Sequence, residues 1–455
     1  MDMHTLEQLR SGALSGARHL KLSENLTSFP MEILSLKDSL EVLDLTGNQL
    51  SELPDVLAEC RKLRIIFCSE NLFTRLPEVL GRFPALTMVG FKANQIGEVP
   101  AAALPANLRW LVLTDNQIAE LPEALGQCQQ LQKLMLSGNR LECLPASLAN
   151  CQRLELVRLA ANRLTELPAW LLTLPRLSWL AFAGNPCCES PHRSEAVTRI
   201  SWSELTLGEQ LGEGASGRIL SANWQQASGA RAVAVKCFKG EMTSDGLPQS
   251  EMAASLAAGR HPGLIELVGE ISDHPAAMAA LVMALIDPDF STLAGPPSLD
   301  SCTRDVYPAG FALTLPAMLG IAQQMASVAA HLHGRGILHG DLYGHNILHD
   351  ERGGALLGDF GAASFYAPGS LLGAALERLE VRAFGCLLEE LMAHCDLPAF
   401  LYEALSELTD ECLREVPAAR PDFAKVHDRL QQIVCSAAAL FPEGEMVEAE
   451  PVVNA

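Results

Sequence analysis

Asparagine recurs at a fixed interval through the first part of the chain, at Asn25, Asn48, Asn71, Asn94, Asn116, Asn139, Asn162 and Asn185. Six of the seven intervals are 23 residues and one is 22. Prolines keep step at Pro30, Pro54, Pro77, Pro100, Pro122, Pro145 and Pro168. Each unit reads LxxLxLxxNxLxxLPxxL, as in the stretch from Leu40 through Leu43, Leu45, Asn48, Leu50 and Leu53 to Pro54. A unit this short cannot bury its own leucine face, so a core forms only when neighbours stack. The alternating leucines make a short strand with every second side chain inward. An Asn at the bend can satisfy backbone groups that a tight coil leaves unpaired. Cys60, Cys128 and Cys151 occupy the place that Phe83 fills in another unit, which marks them as core filler.

This pattern resembles the leucine-rich repeat family over roughly residues 17–186. The resemblance implies an α/β solenoid. By the period of two, Val42, Ile65, Met88, Trp110, Lys133, Leu156 and Trp179 face away from the core, onto the concave sheet face. A ridge with two Trp, a Met and aliphatics is unusual on a solvated surface. It suits a protein substrate or partner (Ile65, Met88, Trp110, Leu156 and Trp179 being the contact residues), the second half of this chain, or a covering loop. Before the first repeat, Leu6 and Leu9 suggest a short capping helix.

Charge narrows the partners further. Lys and Arg total 33 against 54 Asp and Glu, a formal net charge of −21. Without a basic face to displace counterions, nucleic acid is not expected as a partner. No run of about 18 apolar residues is present to span a membrane. Thirteen cysteines in no paired spacing suit reduced thiols and a cytoplasmic location.

After Asn185-Pro186 the repeat stops. From Leu205 the chain alternates strands with a glycine turn, Leu211-Gly212-Glu-Gly214-Ala-Ser-Gly217-Arg-Ile219. A dinucleotide fold with the same glycine spacing would enter a helix at once, whereas another strand follows here. The next strand, Val233-Ala-Val-Lys236, leaves a Lys at the end of a buried run, where it needs an anionic partner. Further on come His339-Gly340-Asp341-Leu-Tyr343-Gly-His345-Asn346 and Asp359-Phe360-Gly361.

These segments together resemble the protein kinase family over roughly residues 204–435. The resemblance implies a two-lobed α+β fold. It also implies an ATP site roofed by Leu211, Gly212, Gly214, Gly217 and Ile219, with Lys236 on the phosphates and paired to Glu251, or less favourably to Glu241. Met283 takes the gatekeeper place, and adenine would meet the backbone near Ala284 to Ile286. Asp341 becomes the residue that orients the acceptor hydroxyl and takes its proton, and Asn346 and Asp359 become ligands of Mg²⁺. His339 reads as a loop anchor, and His331, His333, His345 and His349 as incidental.

Departures from the family pattern fall together. Gly340 replaces the Arg of HRD, Tyr343 replaces a serine/threonine-kinase Lys, and His345 stands where tyrosine kinases carry Arg. The segment after Asp359 is short. Glu380 replaces the Asp that braces the loop, and Arg420 lacks its usual Glu. The chain thus divides into repeats with an N-terminal cap (1–186), a linker (187–203), a kinase-like domain (204–435) and an acidic tail expected to be disordered (436–455). The functional expectation is an ATP- and Mg²⁺-dependent protein kinase, serine/threonine rather than tyrosine. The alternative is a pseudokinase scaffold that binds nucleotide without transferring phosphate.

Overall fold

The computed structural model describes residues 3–189, 198–227, 229–240 and 242–440. Eight three-residue strands line up in chain order in one parallel sheet: β1 (His19–Lys21), β2 (Val42–Asp44), β3 (Ile65–Phe67), β4 (Met88–Gly90), β5 (Trp110–Val112), β6 (Lys133–Met135), β7 (Leu156–Arg158) and β8 (Trp179–Ala181). Equivalent residues of successive units sit in register, Val42 beside Ile65, Ile65 beside Met88 and Leu156 beside Trp179. Prolines set the entry to most of the returning 3-10 turns; Pro54, at φ −72°, leads into Asp55–Glu59. A short helix, α1 (Leu6–Arg10), held by a Thr5–Gln8 capping box, closes the first repeat.

The periodic asparagines explain why the units stack. Asn71 Oδ1 accepts the Leu50 amide at 2.9 Å, while its Nδ2 donates to the carbonyls of Leu45 and Cys68. Asn116, Asn139, Asn162 and Asn185 repeat this pattern. Each amide therefore satisfies a bend of its own unit and one of the unit before it. Asn25 differs: it is exposed, with φ +55°. The repeat cysteines Cys60, Cys128 and Cys151 are buried, as core filler should be.

The second half opens with a six-stranded sheet of β9 (Arg199–Ile200), β10 (Leu205–Glu213), β11 (Gly217–Gln226), β12 (Gly229–Phe238), β13 (Leu267–Ile271) and β14 (Ala280–Ala284). Its order is β10-β11-β12-β14-β13-β9. One helix, α2 (Pro248–Ala258), belongs to this lobe, and α3 (Leu315–Gly334), α4 (Leu371–Ala393), α5 (Ala399–Leu413) and α6 (Phe423–Leu440) build the other. Helix α3 lies in its centre, with Met318, Ile321, Met325, Val328 and Leu332 buried at helical spacing. The α/β solenoid followed by a two-lobed α+β fold is thus the observed architecture.

Two boundaries look different in space. Arg199 and Ile200, assigned to the linker, join the sheet beside Glu270 and Ile271. Helix α6 runs to Leu440, into the segment expected as a tail. The rest of that tail (441–455), the linker stretch 190–197 and Glu241 lie outside the described residues.

The outward ridge of the solenoid is covered by the second half of the same chain. The Trp179 ring stacks on Tyr343, with centroids 4.2 Å apart and planes 8° apart, and its indole N–H donates to the Leu342 carbonyl. Met135 and Leu156 enter the core built by α3 and α4. Val42, Ile65 and Met88 close over Leu299. Trp110 and Lys133 stay half-buried, the ammonium 4.3 Å from the ring centre. Burial of each large apolar side chain contributes about 1.5–3 kcal/mol, so this contact is a core rather than a touch. The apolar ridge is explained by intramolecular packing, which the sequence had allowed beside an external partner.

The ladder makes a differential prediction. Asn139→Ala leaves the Ile118 amide without its acceptor and takes from the Leu113 and Leu136 carbonyls one of their donors, Asn116 and Asn162 remaining as the others. Urea unfolding should show a loss of about 1–3 kcal/mol for Asn139→Ala and less than about 0.5 kcal/mol for Asn25→Gly, which keeps the positive φ without strain. Equal losses would mean the amides do not hold the stack.

Candidate active site

The glycine turn between β10 and β11 is open at Gly212 and Gly214, where an added Cβ would meet nothing within 4 Å. Gly217 is different, because its Cβ would lie 2.5 Å from the Cys237 carbonyl oxygen. Lys236, on β12 beneath this turn, is ion-paired to Glu251 of α2. Burial pushes the Glu251 carboxyl up, and the Lys236 charge offsets part of that. A cavity of about 100 Å³ opens beside the pair, lined by Ile219, Lys236, Glu251, Met283, Asp359 and Phe360 among others. Leu211, Gly212, Gly214, Gly217, Ala284 and Ile286 lie outside that lining. Leu211 is exposed, and Ala284 and Ile286 are half-buried at the end of β14.

The loop from His339 to Asn346 is pinned from several sides. Glu380, buried in α4, accepts the Gly340 amide at 2.7 Å, the His339 amide at 3.3 Å and His333 Nε2 at 2.7 Å. His339 Nε2 donates to the Gly358 carbonyl at 2.9 Å, and its ring lies 5.2 Å from that of Phe360. His345 Nδ1 donates to Asp305, and His331 Nε2 donates to the Ala258 carbonyl. These histidines are structural ties rather than incidental residues. Asn346 Nδ2 donates to the main-chain oxygen and to Oδ2 of Asp341, at 2.9 and 2.8 Å. The Asn346 carbonyl accepts the Gly358 amide, which brings Asp359 to the same place. Asp359 is exposed toward the cleft, at φ +51°, and its carboxylate accepts the Gly361 amide.

One further residue reaches this centre from the solenoid. Arg158 ends β7, two residues after Leu156 and therefore on the same sheet face. Its Nη2 donates to Asp341 Oδ1, its Nη1 to the Gly340 carbonyl at 2.9 Å and its Nε to Asp245 Oδ1 at 2.6 Å. Only 2% of Arg158 is exposed. Burial would raise the Asp341 pKa, but the charge of Arg158 and the neighbouring imidazoles hold it below the ordinary carboxylate range. Sequence reasoning followed the first outward column, from Val42 to Trp179, and missed the second. That column reads Asp44, Phe67, Gly90, Val112, Met135, Arg158 and Ala181, and a single Arg stands in it.

Comparison with known proteins agrees with this layout. A model described as protein tyrosine and serine/threonine kinase matches residues 205–371, and leucine-rich repeat models match residues 39–60 and 106–164. The chain is a leucine-rich repeat array joined to a protein kinase domain. It is similar to the human tyrosine-protein kinase Srms, 26% identical over 279 residues, which is 51% of this chain and 52% of that protein. CBL-interacting protein kinase 22 of Oryza sativa subsp. japonica is 30% identical over 173 residues, 37% of this chain and 38% of its own. On the repeat side, leucine-rich repeat and calponin homology domain-containing protein 1 of Mus musculus is 30% identical over 129 residues, 28% of this chain and 18% of its own. The chain thus spans about half or less of the length of these relatives.

The kinase domain keeps its brace in altered form. Burial acts against the charged Glu380, yet the His333 hydrogen bond and the neighbouring imidazoles keep its pKa below the usual value of 4.5. A depressed carboxyl stabilises the fold above its unfolded pKa and loses that contribution as pH falls through the folded value. Glu380→Gln should therefore be about 2–4 kcal/mol less stable at pH 7, and the gap should shrink steadily below about pH 4.5. Urea titrations across that range test this; a gap that is constant with pH would mean the charge contributes nothing.

Proposed function

We propose that this protein transfers the γ-phosphoryl group of ATP, with Mg²⁺, to a serine or threonine hydroxyl of a protein. The observation that carries this reading is the arrangement of five polar residues around one cleft. The Lys236–Glu251 pair and Asp359 line the cavity under the glycine turn; Asn346 and Asp341, bonded to each other, lie outside that lining and are tied to it by the Gly358 amide on the Asn346 carbonyl. The amide N–H groups of Asn346 are spent on Asp341, which leaves its side-chain oxygen for coordination. With the Asp359 carboxylate it offers hard oxygen donors, few enough that phosphates and water would complete the shell, which suits Mg²⁺. When bound, Mg²⁺ supplies charge neutralisation for the phosphates.

In this mechanism Lys236, fixed by Glu251, holds the phosphates under the glycine turn. Asp341 orients the acceptor hydroxyl, whose oxygen forms a bond to the γ-phosphorus. The bond from that phosphorus to the bridging oxygen breaks, its electron pair leaves with ADP, and the hydroxyl proton passes to Asp341. Serine or threonine is favoured over tyrosine because His345, at the place of the tyrosine-kinase Arg, is committed to Asp305. Free thiols throughout the described residues favour a reducing, cytoplasmic setting. Among the described residues no helix is long and apolar enough to cross a membrane.

A second reading, a nucleotide-binding scaffold, is favoured by the ion pair that Asp341 already makes with Arg158. Incubation with labelled ATP, Mg²⁺ and myelin basic protein separates the two. Wild type should incorporate label, and Asp341→Asn should lower the rate by about 10²–10⁴-fold while MgATP still raises its melting temperature. Asp359→Asn should lose both effects. Incorporation by wild type no greater than by Asp341→Asn would leave the scaffold reading.

A further inference from the structure

Of three positions at which the kinase resemblance leads one to expect a cation near Asp341, Gly340 and Tyr343 carry none and His345 offers only an imidazole. His345 keeps its Nε2 4.0 Å from Asp341 and its Nδ1 on Asp305. The Arg158 guanidinium fills that gap from outside the domain, with its three nitrogens on Asp341, Gly340 and Asp245. A planar fork holds a carboxylate oxygen in a fixed direction, which a flexible ammonium does not.

The absence of the loop Arg and the presence of Arg158 have one geometric cause. Gly340 has φ +74°, and a Cβ there would lie 2.5 Å from the Leu180 carbonyl oxygen and 2.8 Å from that of Ala362. Strand β8 of the solenoid thus passes so close that no side chain fits at 340, and an Arg least of all. The same docking seats β7, and with it Arg158, against Asp341. Detaching the solenoid would expose Trp179, now 1% exposed, and strand one cation and two carboxylates, so this contact is not a lid in easy equilibrium. The Lys236–Glu251 pair is formed in this docked arrangement, which leaves the nucleotide side assembled.

We propose that Arg158 is a positioning residue of phosphoryl transfer: the solenoid supplies, within the same chain, the guanidinium that the catalytic loop lacks. This rests on the kinase reading above. Arg158 holds Asp341 Oδ1 while Asn346 holds Oδ2, and each oxygen retains a second acceptor site for the incoming hydroxyl. Each nitrogen of the guanidinium is bonded to a protein group and the side chain is buried, so it acts through Asp341 and not on the phosphate. The solenoid is then part of the catalytic centre and not solely a recognition module.

The test uses the full-length chain, labelled ATP with Mg²⁺, and myelin basic protein. Arg158→Met keeps the length of the side chain without its charge, and Arg158→Lys keeps the charge without the fork. We expect Arg158→Met to lower kcat by about 10²-fold, the effect of misplacing a reacting group by about 1 Å. Arg158→Lys should recover part of that loss, and KM for ATP should stay near the wild-type value in both. Activity of Arg158→Met equal to or above wild type would overturn the proposal and mark the contact as shielding. Equal losses in the two variants, or a KM for ATP that rises as kcat falls, would also overturn it, as a purely structural effect. Should Arg158→Met fail to fold, Arg158→Lys decides alone, and it must lose kcat without a change in KM. Wild type no more active than Asp341→Asn is a separate outcome: it removes the kinase reading, and the role of Arg158 with it.

Discussion

A guanidinium buried between two carboxylates determines how the two halves of this molecule meet. Arg158, almost wholly shielded from water, carries one positive charge to Asp341 and to the half-buried Asp245. Charges in such a place are tolerated only when each is paired and hydrogen-bonded. Removing either side would leave the other uncompensated, so the orientation of the solenoid and the direction of the Asp341 carboxylate are set together. The stacked Trp179 and Tyr343 rings beside it exclude solvent and strengthen the pairing.

The shortened segment after Gly361 makes sense in the same terms. Helix α4 begins at Leu371, which leaves little chain to build a substrate platform. Solenoid groups stand in that space. Arg420, without its family Glu, donates to the backbone carbonyls of Pro175, Arg378 and Arg414, and Arg382 donates to Pro175 and Ser178. Ser364 accepts the Phe182 amide through its hydroxyl. Tyr366, whose hydroxyl donates to Glu377, and Leu376 and Leu379 of α4 share the apolar core of the repeats. Ser364 and Tyr366 are buried, so the segment does not present these hydroxyls for modification.

How much of this was legible in the sequence depended on the range of the interaction. The solenoid was readable because the asparagine ladder is local: each amide bonds to its own unit and the one before, and so leaves a period. The cleft was readable for another reason. Phosphate chemistry needs a flexible glycine turn, a Lys with a carboxylate partner and a few oxygen donors, and Gly212, Lys236, Glu251, Asp341, Asn346 and Asp359 carry that requirement in order. Arg158 was not readable, since nothing in β7 says which surface will cover it; its partners lie more than 80 residues away along the chain. Gly340 looked like damage to a motif, and only the carbonyl of Leu180 beside it shows that the position had to lose its side chain. His331, His333 and His345 were misjudged for a similar cause, since Ala258, Glu380 and Asp305, which hold them, are remote in sequence.

Hydrogen–deuterium exchange on the intact protein, with and without MgATP, tests the joint site most directly. Amides of residues 340–346 and of strand β7 should exchange slowly under both conditions, because the solenoid already covers them. MgATP should add protection around residues 212–219 and 357–361. Rapid exchange at 340–346, as in a solvated loop, or no nucleotide-dependent protection in the cleft, would contradict a catalytic centre shared between repeat array and kinase domain.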